Sequence, residues 1–317
     1  MKLLEIKNLN VSFIVDKKPV HILNDVSIDI NENEVMAVIG ETGCGKSVTG
    51  SSVLRVLPEN AVITGTVLYK GKDIMSMGEK DFRLLRGKEI AAVPQSPSTS
   101  LDPLMRIGEQ VAECVTNGKS MAGREKNILK EKIFSIFSQL SMPREKELYS
   151  SYPCELSGGM RQRVLISMGV ITKPNLLIVD EPTKAIDWAL RKEVVEIMRK
   201  LKEEIKCSMM FITHDLAAAG SIADKIAVMY CGEVVEIGSV KEVLKEPKHP
   251  YTKGLIDAMP SKGFKVMDGF MPSFSEIPKG CRFHTRCVYK KEICGTVVPK
   301  EILKNGVMVK CHLFNGN

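Results

Sequence analysis

Apolar residues along this chain fall into two rhythms. Unbroken apolar runs recur at Val35-Met36-Ala37-Val38-Ile39, Leu176-Leu177-Ile178-Val179 and Met209-Met210-Phe211-Ile212. Their length and composition are those of strands buried on both faces. Longer stretches between them space apolar residues by three and four, most plainly Glu125 to Leu140 and Trp188 to Glu204, and these predict amphipathic helices. The alternation implies a parallel sheet flanked by helices. From about Ser96 to Gly158 the strand signal vanishes, which predicts a mostly helical insertion. After Gly232 the periodicity weakens, and from Pro247 onward Pro, Gly and Lys dominate, placing a boundary near Glu246. The expected organisation is an α/β core over residues 1–95 and 165–245, a helical segment over 96–164, and a C-terminal extension over 246–317.

Composition changes this picture in three places. No apolar run nears the roughly 20 residues that cross a bilayer, and Met1-Lys2-Leu3-Leu4-Glu5 lacks the apolar core of a secretory signal. A cytosolic chain is expected, meeting any membrane through partners. The net charge of +7 is concentrated: from Glu246 to the end, 12 Lys and Arg stand against 6 Asp and Glu. The rest is close to neutral, which argues against a nucleic-acid partner. Four of the nine cysteines, Cys281, Cys287, Cys294 and Cys311, fall within the last 37 residues. In a cytosolic chain they point to thiols or metal ligands rather than disulfides.

Each buried run ends in chemically loaded residues. After Ile39 comes Gly40-Glu41-Thr42-Gly43-Cys44-Gly45-Lys46-Ser47-Val48, the pattern G-x-x-x-x-G-K-[ST] between a strand and a helix. Its glycines let successive N–H groups turn inward to cradle phosphate oxygens, at a helix N-terminus that favours anions. Lys46 would reach the β- and γ-phosphates, and the Ser47 hydroxyl would ligate Mg²⁺. The second run ends in Asp180-Glu181. An acid closing a buried strand calls for a cation, so Asp180 would hold Mg²⁺, leaving Glu181 to orient and deprotonate a water. The third run ends in Thr213-His214. Strand ends of parallel α/β sheets converge on ligands, and together these residues imply a nucleoside triphosphatase.

Leu156-Ser157-Gly158-Gly159-Met160-Arg161-Gln162-Arg163 resembles the signature of ABC ATPases, with Met160 where most members have Gln. The resemblance implies a RecA-like P-loop core with a helical signature subdomain, binding ATP. Ser157, Gly158 and Gly159 would contact the γ-phosphate of the ATP held by an opposite subunit. By the same resemblance Gln95 is the glutamine that touches Mg²⁺ and the attacking water, Asp187 contacts the partner subunit, and His214 binds the γ-phosphate. Phe13 is a candidate to stack on adenine, with a plain core role as the alternative. Lys184 and Ile186 depart from the family pattern of Thr and Leu around the aspartate loop.

Three further stretches resemble the ATPase subunits of dipeptide, oligopeptide and nickel importers: Met160 itself, Gln95-Ser96-Pro97-Ser98-Thr99-Ser100-Leu101-Asp102-Pro103, and His249-Pro250-Tyr251-Thr252-Lys253-Gly254-Leu255. That branch implies a second, often different, ATPase subunit and hence a heterodimer. It also implies two transmembrane permeases, an extracytoplasmic solute-binding protein, and a place on the cytoplasmic membrane face. Some members are thought to carry a [4Fe–4S] cluster at matching cysteines, whose charge Arg282, Arg286, Lys290, Lys291 and Lys310 would offset here. Ligand type alone leaves Zn²⁺ open, as does a small core of free thiols. A soluble ATPase of iron–sulfur assembly is the rival function, and a nucleic-acid-associated ABC protein a third.

Overall fold

A computed structural model describes residues 1–116, 118–119, 121–184 and 188–314; Asp187 and Ile186 lie outside them. The chain divides into two units, residues 1–76 with 210–317, and residues 77–209.

The first unit holds a four-stranded antiparallel sheet in the spatial order Lys18–Asn31, Lys2–Val15, Ala61–Tyr69 and Lys72–Asp73. Along Lys18–Asn31, Val26, Ile28 and Ile30 are buried while the residues between them are half-exposed, the period-two pattern of a sheet with one face covered. The same unit contains Val35–Ile39, buried at every position, parallel to Lys225–Tyr230 on one side and next to Ser208–Thr213 on the other.

The expected parallel sheet is found in part, at Val35–Ile39 with Lys225–Tyr230, but it continues into antiparallel strands. Only Cys231 and Gly232 separate Lys225–Tyr230 from Glu233–Ser239, and two residues can join antiparallel neighbours only. Their φ values of 46° and 80° are those of a type I′ hairpin turn. A side chain at Gly232 would put its Cβ 2.0 Å from the Ile22 carbonyl oxygen, so the turn admits only glycine. Beyond Glu233–Ser239, the hairpin Glu301–Lys304 and Val307–Lys310 adds two more antiparallel strands. The C-terminal extension thereby supplies the edge of a mixed sheet.

In the second unit Ile90–Val93 runs parallel to Leu176–Asp180. Between Pro97 and Val170 the described residues form helices and no strand, chiefly Ile107–Thr116, Gly123–Gln139, Glu145–Ser150 and Gly158–Val170. Gly158–Val170 packs closely on Ile90–Val93, since a Cβ at Gly169 would stand 2.8 Å from Val93 Cγ2. The helix Trp188–Ile205 buries Val194, Ile197, Met198 and Leu201, the i, i+3, i+4, i+7 stripe of an amphipathic helix. On its exposed face Arg199 pairs with Glu196 at 2.7 Å and Glu203 at 2.9 Å. Among the described residues no helix is long and apolar enough to cross a membrane.

Candidate nucleotide site

The loop Gly40–Gly45 leaves the buried strand Val35–Ile39 and enters the helix Lys46–Leu54. Its path depends on glycine. Gly45 has φ +108°, and a Cβ there would lie 2.6 Å from Leu23 Cδ2; at Gly40, φ +154°, it would lie 2.2 Å from the Met229 carbonyl oxygen. No side-chain cap hydrogen bond is made at Gly45, the residue before the helix, and a helix N-terminus favours anions. Lys46 is 4% exposed, and its Nζ donates to the carbonyls of Gly40 at 2.8 Å and Glu41 at 2.9 Å. The lysine is thus folded back along the loop. Thr42, Gly43 and Ser47 are exposed, and Val48 is half-buried. Cys44 is buried, and burial pushes its thiol up to about 11 against the opposing pull of Lys46, which leaves it an inert packing residue.

His214 belongs to the same unit and follows Ser208–Thr213. Thr213 Oγ1 accepts the Asp215 N–H at 3.0 Å, and Asp215 caps the helix Leu216–Ile222 by accepting from Ala217 and Ala218 at 2.9 and 3.0 Å. The two hydrogen-bonded residues pin the turn on which His214 is exposed. Phe13 is half-buried within the four-stranded sheet, where it pairs with Val20 and Ala61.

In the second unit, Gln95 and Glu181 come together. Gln95 Nε2 donates to Glu181 Oε2 at 2.8 Å, and Lys184 Nζ lies 3.5 Å from the same oxygen. Glu181 is 4% exposed and has φ +43°, a left-handed backbone that costs a glutamate about 1–2 kcal/mol and that clusters at functional positions. It directly follows Asp180, which ends the strand and is half-buried. Ser157 caps the helix Gly158–Val170, its Oγ accepting the Met160 N–H at 3.3 Å. Ser157 and Gly158 are exposed while Gly159 is buried. Gln95, Ser96, Pro97, Gly158, Arg161 and Lys184 line one cleft of about 310 Å³, so the glutamine loop and the signature helix share a wall.

The C-terminal cysteines converge. Cys281, Cys287, Cys294 and Cys311 line one small cavity together with His284 and His312. The approach needs Gly280, where a Cβ would stand 2.4 Å from the Cys294 carbonyl oxygen, and it is tied by the Cys281 N–H donating to that oxygen at 2.8 Å. Burial, then the other three thiols, pushes Cys281 up to about 12. Burial likewise raises Cys287 and Cys311. Lys290 pulls Cys287 down and Lys291 pulls Cys311 down, but burial outweighs both.

Among the described residues no group of three or more His, Cys, Asp or Glu is set to hold a metal ion, and the four thiols share the lining of one cavity. The basic residues assigned to offset cluster charge are also largely committed elsewhere. Arg282 Nε pairs with Glu233 at 3.1 Å, Lys310 Nζ lies 4.0 Å from the same carboxylate, and Arg286 pairs with Glu41. Lys291 lines the cysteine cavity.

Sequence reasoning missed the residues that hold the phosphate loop from outside. The Glu41 N–H donates to the Tyr251 hydroxyl at 2.9 Å, and Arg286 Nη1 donates to both Glu41 carboxylate oxygens at 3.0 Å. The signal was the His249-Pro250-Tyr251 run, which composition alone reads as a linker turn.

Comparison with known proteins agrees with this geometry. Residues 23–184 match the ABC transporter family, and residues 235–294 match the oligopeptide/dipeptide transporter C-terminal region. The chain is 36% identical over 311 residues to the dipeptide transport ATP-binding protein DppD of Bacillus subtilis, covering 96% of this chain and 92% of that one. It is 36% identical over 314 residues to the oligopeptide transport ATP-binding protein OppD of Salmonella typhimurium, covering 98% and 93%. The fold matches the dimeric ATP-binding cassette MJ0796 bound to ADP and Pi, with TM-score 0.66 and 22% identity over 75% of this chain and 99% of that one. The chain belongs to the ABC transporter family as an ATP-binding, ATP-hydrolysing subunit, in the branch that carries the oligopeptide/dipeptide transporter C-terminal region.

Proposed function

We propose that this chain energises an importer of peptides. The observation that carries the reading is a glycine-dependent phosphate loop that holds Lys46; a Gln95–Glu181 couple at a strand end in the other unit supports it. Peptide, rather than nickel, is favoured because both relatives named above are peptide transporters and the C-terminal region is of the oligopeptide/dipeptide kind. The same match over 235–294 weighs against a soluble ATPase of iron–sulfur assembly.

In the cycle we infer, the N–H groups of Gly40 to Val48 wrap the ATP phosphates, Lys46 turns from its loop carbonyls to the β- and γ-phosphates, and Phe13 stacks on adenine. Mg²⁺, when bound by Ser47, Asp180 and Gln95, neutralises developing phosphate charge. Glu181 takes a proton from the attacking water, with Gln95 aligning both, and His214 binds the γ-phosphate. Ser157, Gly158 and Gly159 face the ATP of a second ATPase subunit, with Asp187 at the same interface. That subunit is read as a different chain. Residues 1–95 and 165–245 act as the ATP-binding core, and 96–164 as the helical subdomain that faces two permeases on the cytoplasmic membrane surface. An extracytoplasmic solute-binding protein delivers the peptide. The test is uptake of labelled peptide into vesicles carrying the permeases and both ATPases. ATP-dependent uptake that is lost on Lys46→Ala supports the reading; ATP-driven transport of nickel but not peptide refutes it.

We further read residues 246–317 as a small domain whose Cys281, Cys287, Cys294 and Cys311 bind a [4Fe–4S] cluster. Convergence on one cavity supports this. Each thiolate of such a cluster binds a different iron, so its ligands stand farther apart than those sharing a single Zn²⁺. A bound cluster would supply the positive iron charge that ionises thiols otherwise raised by burial. Anaerobically purified protein should contain about four irons and four sulfides per chain and lose them on Cys294→Ser. One zinc per chain, or no metal, would refute it.

A further inference from the structure

The run His249-Pro250-Tyr251 is buried, with His249 1% and Tyr251 0% exposed. His249 caps the helix Pro250–Asp257, its Nδ1 accepting the Tyr251 N–H at 3.0 Å. Pro250 fits the first helical position because that position needs no N–H partner. The cap fixes the Tyr251 ring against Tyr230 and Phe283, with centroids 4.6 and 5.5 Å away. From there its hydroxyl accepts the Glu41 N–H.

Arg286 reaches the same residue. Its guanidinium sits over the Tyr230 and Phe283 rings at 5.8 and 5.9 Å, its side chain is 6% exposed, and it binds both Glu41 carboxylate oxygens. On the other side of the peptide, the Glu41 carbonyl accepts from Lys46 Nζ at 2.9 Å. Glu41 is therefore held through its N–H, its carboxylate and its carbonyl at once, the first two by the C-terminal extension.

We propose that Tyr251 and Arg286 are positioning residues for ATP. They fix Glu41, and through it the phosphate-loop backbone and Lys46, so that nucleotide affinity depends on the C-terminal extension. The inference rests on reading Gly40–Ser47 as the phosphate-binding loop. The physical reason is preorganisation: a loop already ordered in its binding shape does not spend binding energy on being ordered. Tyr251→Phe leaves the aromatic packing in place and removes only the acceptor for a loop amide, and Arg286→Ala releases the carboxylate.

The test is equilibrium binding of a fluorescent ATP analogue with Mg²⁺ to the full chain, paired with ATP hydrolysis by the assembled transporter. Tyr251→Phe and Arg286→Ala should each weaken binding by about tenfold, on the scale of one hydrogen bond to a buried group. KM should rise in step while kcat stays within about twofold, and Arg286→Lys should recover part of the affinity. Glu41→Gln is the discriminating variant. Positioning predicts weaker binding, and little further loss when Arg286→Ala is added. Simple attraction between Arg286 and phosphate predicts tighter binding once the carboxylate charge is gone. Tighter binding by Glu41→Gln would overturn the proposal, as would unchanged affinity in Tyr251→Phe and Arg286→Ala with only a lowered melting temperature. If Lys46→Ala binds as wild type, the phosphate-loop reading itself fails; if only that variant loses affinity, the loop stands and the positioning role falls.

Discussion

Lowering the pH from about 7.5 to about 5 should destabilise the chain through His249. Burial pushes this histidine down to about 3, and its Nδ1 already accepts the Tyr251 N–H, so a proton placed there breaks the cap. In the unfolded chain histidine titrates near 6.5. Between those two values the unfolded chain binds a proton that the folded chain refuses. The stabilising contribution is therefore complete above about 6.5 and is lost at about 1.4 kcal/mol per pH unit as pH falls, or about 2 kcal/mol by pH 5. Glu236 accepts the N–H groups of Lys248 and His249 at 2.7 and 2.9 Å. Its carboxyl is raised by burial, so it acts in the opposite sense, gaining stability as pH falls. His249→Asn separates the two, since asparagine still caps a helix but does not titrate. Urea denaturation of both proteins at both pH values should show wild type losing about 2 kcal/mol more than the variant. Equal losses would refute the assignment of a neutral, capping His249.

Two other substitutions probe the site locally. Gly45→Ala forces a Cβ to within 2.6 Å of Leu23 Cδ2 at φ +108°, and should cost about 2 kcal/mol or more in denaturation while weakening ATP binding; stability within about 0.5 kcal/mol of wild type would contradict the strain argument. Lys184 Nζ lies 3.5 Å from the Glu181 carboxylate oxygen, where it competes with an incoming proton for the group read as the base. Lys184→Thr should therefore raise kcat about twofold to fivefold, in keeping with a half-exposed ion pair, and a fall below half of wild type would show that the lysine supports turnover instead.

Much of the site was legible because phosphate chemistry imposes spacing. Gly40 to Ser47 could be read from four fixed positions, Gly40, Gly45, Lys46 and Ser47, and Asp180-Glu181 from an acid ending an apolar run. The family resemblance singled out Gln95 for Mg²⁺ and the attacking water, while its hydrogen bond of 2.8 Å to Glu181 was not expected. The helix expected from Glu125 to Leu140 forms at Gly123–Gln139, since its apolar stripe fixed both its existence and its period. What was not legible is long-range. The N-terminal antiparallel sheet was missed because its strands Lys2–Val15 and Lys18–Asn31 carry several bulges that break the alternation. The antiparallel edge was missed because a Cys-Gly pair is a weak turn signal without its φ values. Arg286 was assigned to cluster charge because sequence proximity to Cys287 says nothing of Glu41, 245 positions away.

The most direct test of the central claim is ATP hydrolysis by the assembled transporter with Glu181→Gln in this chain, measured beside MgATP binding by the same variant. Removing a general base should lower the turnover at this site by about 10²–10⁴-fold while binding stays within about twofold. Hydrolysis at the wild-type rate with intact binding would contradict the account, leaving the phosphate loop in place but moving the catalytic base away from Glu181.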